Sequence, residues 1–302
     1  MALNPRVDFA FKKLFSSEEN KPSLMALINA ILPAEEQVTE ITLLNPFNDR
    51  EHSRGKLSIL DVKAIDKNGR QYNIEMQVTD EMNYSQRALY YWSKLYATQL
   101  KAGDDYDILR KTISIHILNF NCFLNESDYH NVFHLLNAKS YRREFEDMEL
   151  HFIELEKFDK GLSELTTRLD HWTSFFTTVD QYERDEIPAV LKDDPEVGPA
   201  IEALEHLYLT PEEREIYDAR LKWLRDEHSA IKKARKEGAK EGFAEGIEQG
   251  IEKGIEQGIE QSKREIAKRL LEINETLDNI ARITGLSLEK IKELKQENFI
   301  CE

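Results

Sequence analysis

Lys56-Leu-Ser-Ile-Leu-Asp61-Val-Lys63-Ala-Ile-Asp66-Lys-Asn-Gly69-Arg-Gln-Tyr-Asn-Ile-Glu75-Met-Gln77-Val-Thr79 decides the fold. It reads as two β-strands joined by a tight turn. Asp66-Lys67-Asn68-Gly69 suits a type I turn followed by Gly69 in the left-handed region, a three-residue loop with a G1 bulge. Asp66 and Arg70 then close the loop, and Asp61 falls opposite Glu75, Lys63 opposite Asn73, and Ile59 opposite Gln77. Opposed residues of an antiparallel pair share a face. Tyr72, Ile74, Met76 and Val78 match Leu60, Val62 and Ala64 as the core face.

The other face of the second strand, Gln71, Asn73, Glu75, Gln77 and Thr79, is polar throughout. Two readings of it are open. It is a solvated sheet surface, with Lys63 relieving the repulsion between Asp61 and Glu75. Or the two carboxylates, which repel when brought together, grip a divalent cation. A four-residue loop would shift the register by one and put them on opposite faces.

Asp61 followed by Glu75-Met76-Gln77 on the next strand resembles the Asp…(Asp/Glu)-x-Lys core of the PD-(D/E)XK nucleases. Asp8-Phe-Ala-Phe-Lys-Lys-Leu-Phe15, Leu27-Ile-Asn-Ala-Ile-Leu32, Ile59-Leu-Asp-Val-Lys-Ala64 and Arg87-Ala-Leu-Tyr-Tyr-Trp92 resemble, more specifically, the Rpn recombination-promoting nucleases of that superfamily, also described as transposase-like. The likeness is detailed over residues 4–125. Gln77 stands where the wider superfamily has Lys. The resemblance implies an α/β fold, a restriction-endonuclease-like αβββαβ mixed sheet flanked by helices. It implies Mg²⁺, or Mn²⁺ or Ca²⁺, held by Asp61 and Glu75, with Gln77 orienting the attacking water. Lys63 would add positive charge beside the phosphate, and Asp8, Arg87 and Tyr91 are secondary site residues. The partner implied is DNA, with RNA left open.

Composition sets the frame. A hydrophobic content of 40%, with 14 Phe and 11 Tyr, supports a folded chain. Two cysteines, Cys122 and Cys301, form neither a disulfide framework nor a Cys-rich zinc site. No signal-peptide-like opening and no membrane-length apolar run is present, so a cytoplasmic protein without membrane contact is expected. The net charge of −16 argues at first against nucleic acid. Residues 1–120 are nearly balanced, however, and the acidity belongs to the C-terminal part, so the nuclease-like region escapes that objection.

Outward from the hairpin, residues 5–33 read as one or two helices ended by Pro33, and 38–44 as a first strand. Asp8 also suits a helix start electrostatically. Asn83–Leu100 reads as a helix with Leu89, Trp92, Leu95, Tyr96 and Leu100 inward. Arg87, Tyr90, Tyr91 and Lys94 share a side of it. Ile113–Phe120 and Met148–Leu155 are further strands, and His116 is expected as a core histidine. Helical spacing returns over 162–179 and 200–209. Thr210-Pro-Glu-Glu213 is a capping-box helix start, and no proline follows it.

That arm holds glycine every fourth residue from Gly238 to Gly258, with Ile247, Ile251, Ile255 and Ile259 behind. A period of four drifts about 40° per repeat around a straight helix, and each glycine costs a lone helix roughly 1 kcal/mol against alanine. Two outcomes follow: a flexible linker, or a helix that packs on another chain. Leu277–Ile291 resembles a helix-turn-helix, with Gly285 at the turn and Ser287 as cap; mixed charge on its second helix favours packing over DNA reading.

The expected organisation is a nuclease-like domain at 1–160, a helical domain at 161–232, a glycine-repeat arm or linker at 233–265 and a small helical tail at 266–302. The function expected is a metal-dependent DNA endonuclease acting in recombination, element mobility or defence, oligomerising through the arm. The alternative is a catalytically silent scaffold whose working part is that arm.

Overall fold

In a computed structural model, residues 3–44, 62–79 and 83–299 are described. The chain divides into two compact units, Met1–His228 and Ser229–Glu302.

The first unit opens with helices α1 (Asp8–Phe15) and α2 (Lys21–Ile31), then strands β1 (Ile41–Leu44), β2 (Val62–Asp66) and β3 (Gln71–Gln77). Helix α3 (Tyr84–Ala97) leads to β4 (Thr112–Leu118), β5 (His130–His134) and β6 (Met148–Glu154). Helices α4 (Arg168–Thr178), α5 (Ala189–Lys192), α6 (Gly198–Glu205) and α7 (Pro211–Glu272) follow. The strands form one mixed sheet in the order β1-β2-β3-β4-β6-β5. Strand β3 pairs antiparallel with β2 and parallel with β4, the crossover being made by α3. This is the expected αβββαβ order followed by two further strands, β6, which the sequence reading expects at Met148–Leu155, and an added edge strand, β5. The edge strand is short, polar and half-exposed, so it carries no apolar alternation for a sequence reading to find.

The hairpin has the expected register: Val62 pairs with Ile74, Lys63 with Asn73 and Ala64 with Tyr72. Gly69 sits at φ +82° and donates its N–H to the Asp66 carbonyl at 3.0 Å, while Asp66 N–H bonds the Arg70 carbonyl at 3.0 Å. The Asp66 carboxylate locks the loop, accepting from Asn68 N–H and Arg70 N–H at 2.9 Å each and from Arg70 Nε at 2.6 Å.

Tyr72, Ile74 and Met76 face a large core with Ile113, Ile115 and Ile117, covered by Phe11, Phe15, Leu27, Trp172 and Phe176 of α1, α2 and α4. Helix α6 joins the same core through Ile201 and Leu204, so the helices after the sheet are continuous with it in packing. The opposite face carries a smaller core of Tyr84 and Ala88 from α3 with Leu118, Leu150 and Phe152. The polar face of β3 is therefore buried, Asn73 fully and Glu75 to 3% exposure. Leu89, expected inward on α3, is 47% exposed; Tyr84 and Ala88 occupy the buried positions instead.

Thr210 and Glu213 form the expected capping box at the start of α7, Glu213 N–H to Thr210 Oγ1 at 3.2 Å and Thr210 N–H to Glu213 Oε2 at 2.9 Å. In the second unit α7 runs helically through all the repeat glycines. Helices α8 (Leu277–Thr284) and α9 (Leu288–Phe299) close on Ala267 through Ile280, Leu286, Ile291 and Leu294. Gly285 takes the left-handed turn at φ +69°, and Lys290 N–H bonds Ser287 Oγ at 3.3 Å.

Candidate active site

The C-terminal half of β3 supplies the centre of a cleft of about 280 Å³, with Glu75 and Gln77 on its floor and Asp8 on its wall. Alternation along the strand sends Met76 into the main core and Glu75 and Gln77 to the α3 side. Glu75 lies beside His116 in the parallel register. Gln77, at the strand end, donates from Nε2 to Thr79 Oγ1 at 3.2 Å and accepts from Arg87 Nη2 at 3.4 Å. Arg87 also bonds Tyr91 Oη through Nε at 3.1 Å, its guanidinium standing over the Tyr84 and Tyr91 rings at 5.5 and 5.3 Å. The expected helical side of Arg87 and Tyr91 thus meets the expected strand end at Gln77.

Asp8 reaches the same cleft from the first turn of α1, where its Oδ1 accepts from Phe9 N–H at 2.8 Å. Lys63 is half-buried opposite Asn73 and does not line the cleft. Asp61 lies outside the described residues.

His116 is fully buried under this floor. It shares a hydrogen bond of 3.0 Å between Nδ1 and Tyr84 Oη and stacks on Phe152 at 4.9 Å between centroids. Among the described residues its Nε2 has no hydrogen-bond partner. Burial, and secondarily the Arg87 charge, lowers its pKa to about 3, so the ring is neutral at physiological pH. It is the core histidine the sequence suggests.

Three cleft residues escape sequence reading: Lys12, Arg220 and Trp223. Lys12 stands one helical turn after Asp8, a spacing that would have found it. Arg220 and Trp223 reach the cleft because α7 folds back on α1. Tyr217 is buried against Val7 and Ala10, its Oη accepts from Asn4 N–H at 2.8 Å, and Lys13 Nζ meets Glu213 Oε2 at 2.5 Å. Nothing local in the sequence encodes that return.

The donors around the cleft, carboxylates of Asp8 and Glu75 and the Gln77 amide, are hard oxygens with no sulfur or imidazole among them, a set that suits Mg²⁺, Mn²⁺ or Ca²⁺ and not a soft metal. Among the described residues no group of three or more His, Cys, Asp or Glu gathers to hold a metal.

A mixed sheet flanked by helices, with an acidic strand end beside a parallel crossover, is consistent with a PD-(D/E)XK core. The family model described as "PD-(D/E)XK nuclease family transposase" matches residues 5–234, and the chain belongs to that family. No curated protein and no solved structure matches the chain. The family typically uses divalent metals and implies a nuclease or transposition role with DNA. Among the described residues no helix is long and apolar enough to cross a membrane.

Proposed function

We propose that this protein is a divalent-metal-dependent DNA endonuclease of the Rpn type. The observation that carries the reading is the hairpin register, Val62 with Ile74 beside a buried Glu75. The sequence reading sets Asp61 opposite Glu75, which is what one further step of that register would give.

Asp61 and Glu75 would hold the cation, assisted by the Met76 carbonyl. When bound, the metal supplies a Lewis acid for the scissile phosphate and lowers the pKa of a water. Gln77 is neutral and orients that water by hydrogen bonding, its amide held by Thr79 and Arg87. Arg87, fixed by Tyr91, supplies charge for the developing pentavalent phosphate. Asp8 closes the acidic wall, while Lys63, which does not line the cleft, would act on it only through its charge at a distance. The protein would act in recombination, element mobility or defence.

Wild-type chain nicking supercoiled plasmid with Mg²⁺ and not with EDTA supports this. Glu75→Ala or Asp61→Ala with full Mg²⁺-dependent nicking overturns it.

A specific observation supports self-association as well. Phe243, Ile247, Ile251, Ile255 and Ile259 lie along α7 at 48–71% exposure, next to a row of glycines with open space about each. Rows at a spacing of four are the ridges by which helices interlock. Lys232, Lys233 and Lys236 precede the repeat and Lys240 lies in its first unit, while Glu245, Glu248, Glu252 and Glu256 follow along it. Two copies running antiparallel bring basic against acidic segments; parallel copies in register oppose like charges. The arm is read as an antiparallel homo-oligomer interface, which would serve either a nuclease or a silent scaffold.

A further inference from the structure

The proposed reaction leaves Trp223, Arg220 and Lys12 without a role, though all three line its cleft. The chain has three tryptophans. Trp172 is fully buried, and Trp92 donates its Nε1–H to the Thr112 carbonyl at 2.8 Å and stacks on Tyr96. Trp223 is different: it is 49% exposed and joins no hydrophobic core among the described residues, although its neighbour Leu224 packs on the Val7–Ala10–Tyr217 cluster.

A half-exposed indole lining a charged cleft offers a large rigid apolar face with a polar edge to whatever enters that cleft. Arg220 stands one turn earlier, 54% exposed and only loosely placed at 3.9 Å from Asp8. A π-face flanked by cations is the combination that binds unpaired nucleic acid: the ring takes a base by stacking and the cations take the neighbouring phosphates. A duplex keeps its base faces inside the stack and cannot offer one to an indole. The acidic excess of the whole chain, at net charge −16, also weakens general backbone binding and throws selectivity onto contacts of this kind.

We propose that Trp223 is a base-stacking residue, that Arg220 and Lys12 receive phosphates beside it, and that the substrate is DNA unpaired at the cut: single strands, flaps or frayed ends. This deepens the nuclease reading and rests on it for the position of the scissile bond, but the stacking contact itself needs no cleavage.

The test uses the full chain in EDTA at low salt, with oligothymidylate and a blunt duplex of equal length as probes. Oligothymidylate quenches the tryptophan emission of the wild type and binds more tightly than the duplex. Trp223→Phe binds within a few-fold of wild type without the quench, because an aromatic face remains. Trp223→Ala loses about 5- to 100-fold in affinity for the strand and little for the duplex, with an unchanged melting temperature as the control on folding. Undiminished quenching in Trp223→Phe, wild-type affinity in Trp223→Ala, or a preference for duplex overturns the proposal. Quenching that persists in a protein unable to nick DNA with Mg²⁺ would leave stacking standing and remove the nuclease reading alone.

Discussion

His116 offers a test of the buried floor of the cleft that needs neither metal nor substrate. Its pKa is lowered to about 3 because its ring is fully buried and Arg87 stands near. In the unfolded chain a histidine titrates near 6.5. Between those values the unfolded state binds a proton that the folded state does not, so stability is full above about pH 6.5 and is lost as pH falls towards 3. At about pH 5 the loss is roughly 2 kcal/mol, from about 1.4 kcal/mol per pH unit. His116→Phe keeps a ring to stack on Phe152 and removes the proton site. It gives up the Tyr84 hydrogen bond but also deletes the unpartnered Nε2; each change is worth about 1 kcal/mol, and they oppose. The variant should match wild type within about 1 kcal/mol at neutral pH and gain about 2 kcal/mol on it at pH 5. Urea unfolding followed by tryptophan fluorescence at both values measures this. His130, also lowered, to about 4 by burial, is common to both proteins and cancels. A stability gap that is the same at both pH values would refute the reasoning.

Other outcomes follow from named contacts. Gly69→Val puts a branched side chain at φ +82°, with Arg110 Cγ only 3.1 Å from its Cβ position; a loss of about 1–2 kcal/mol is expected in thermal unfolding. Arg87→Ala should cut the Mg²⁺-dependent nicking rate by about 100-fold and cost roughly 1 kcal/mol in thermal unfolding, since the guanidinium stands over the buried Tyr84 ring as well as contacting Gln77 and Tyr91. Ile251→Lys with Ile255→Lys places charge on two exposed positions. In light scattering the double variant should run at the monomer mass while the wild type runs as an oligomer; equal masses would count against the arm as an interface.

What could be read in advance was local. Asp66-Lys67-Asn68-Gly69 specifies its turn through one carboxylate and one left-handed glycine, and the register of β2 with β3 follows from the loop length alone. The Thr210–Glu213 capping box and the Gly285 turn are likewise short-range devices. The polar face of β3 was different. Asn73 and Glu75 look like solvent-facing residues in an alternating strand, and only the placement of α3 over the sheet makes them buried. Leu89 exchanged places with Ala88 because α3 meets the sheet through its small residue. Arg220 and Trp223 depend on Tyr217 packing against α1 across most of the unit's sequence, a contact no spacing rule reaches. Asp61 falls outside the described residues, so its pairing with Glu75 stands as an extension of the observed register.

The central claim is that the Glu75 carboxylate, with Asp61 beside it, grips a catalytic cation. Glu75→Gln tests it most directly, because the amide preserves shape and hydrogen bonding while removing the charge. Mg²⁺-dependent nicking of supercoiled plasmid should fall to background in this variant, with binding of oligothymidylate in EDTA retained. Nicking by Glu75→Gln at the wild-type rate, or by the wild type equally in EDTA, would contradict the account.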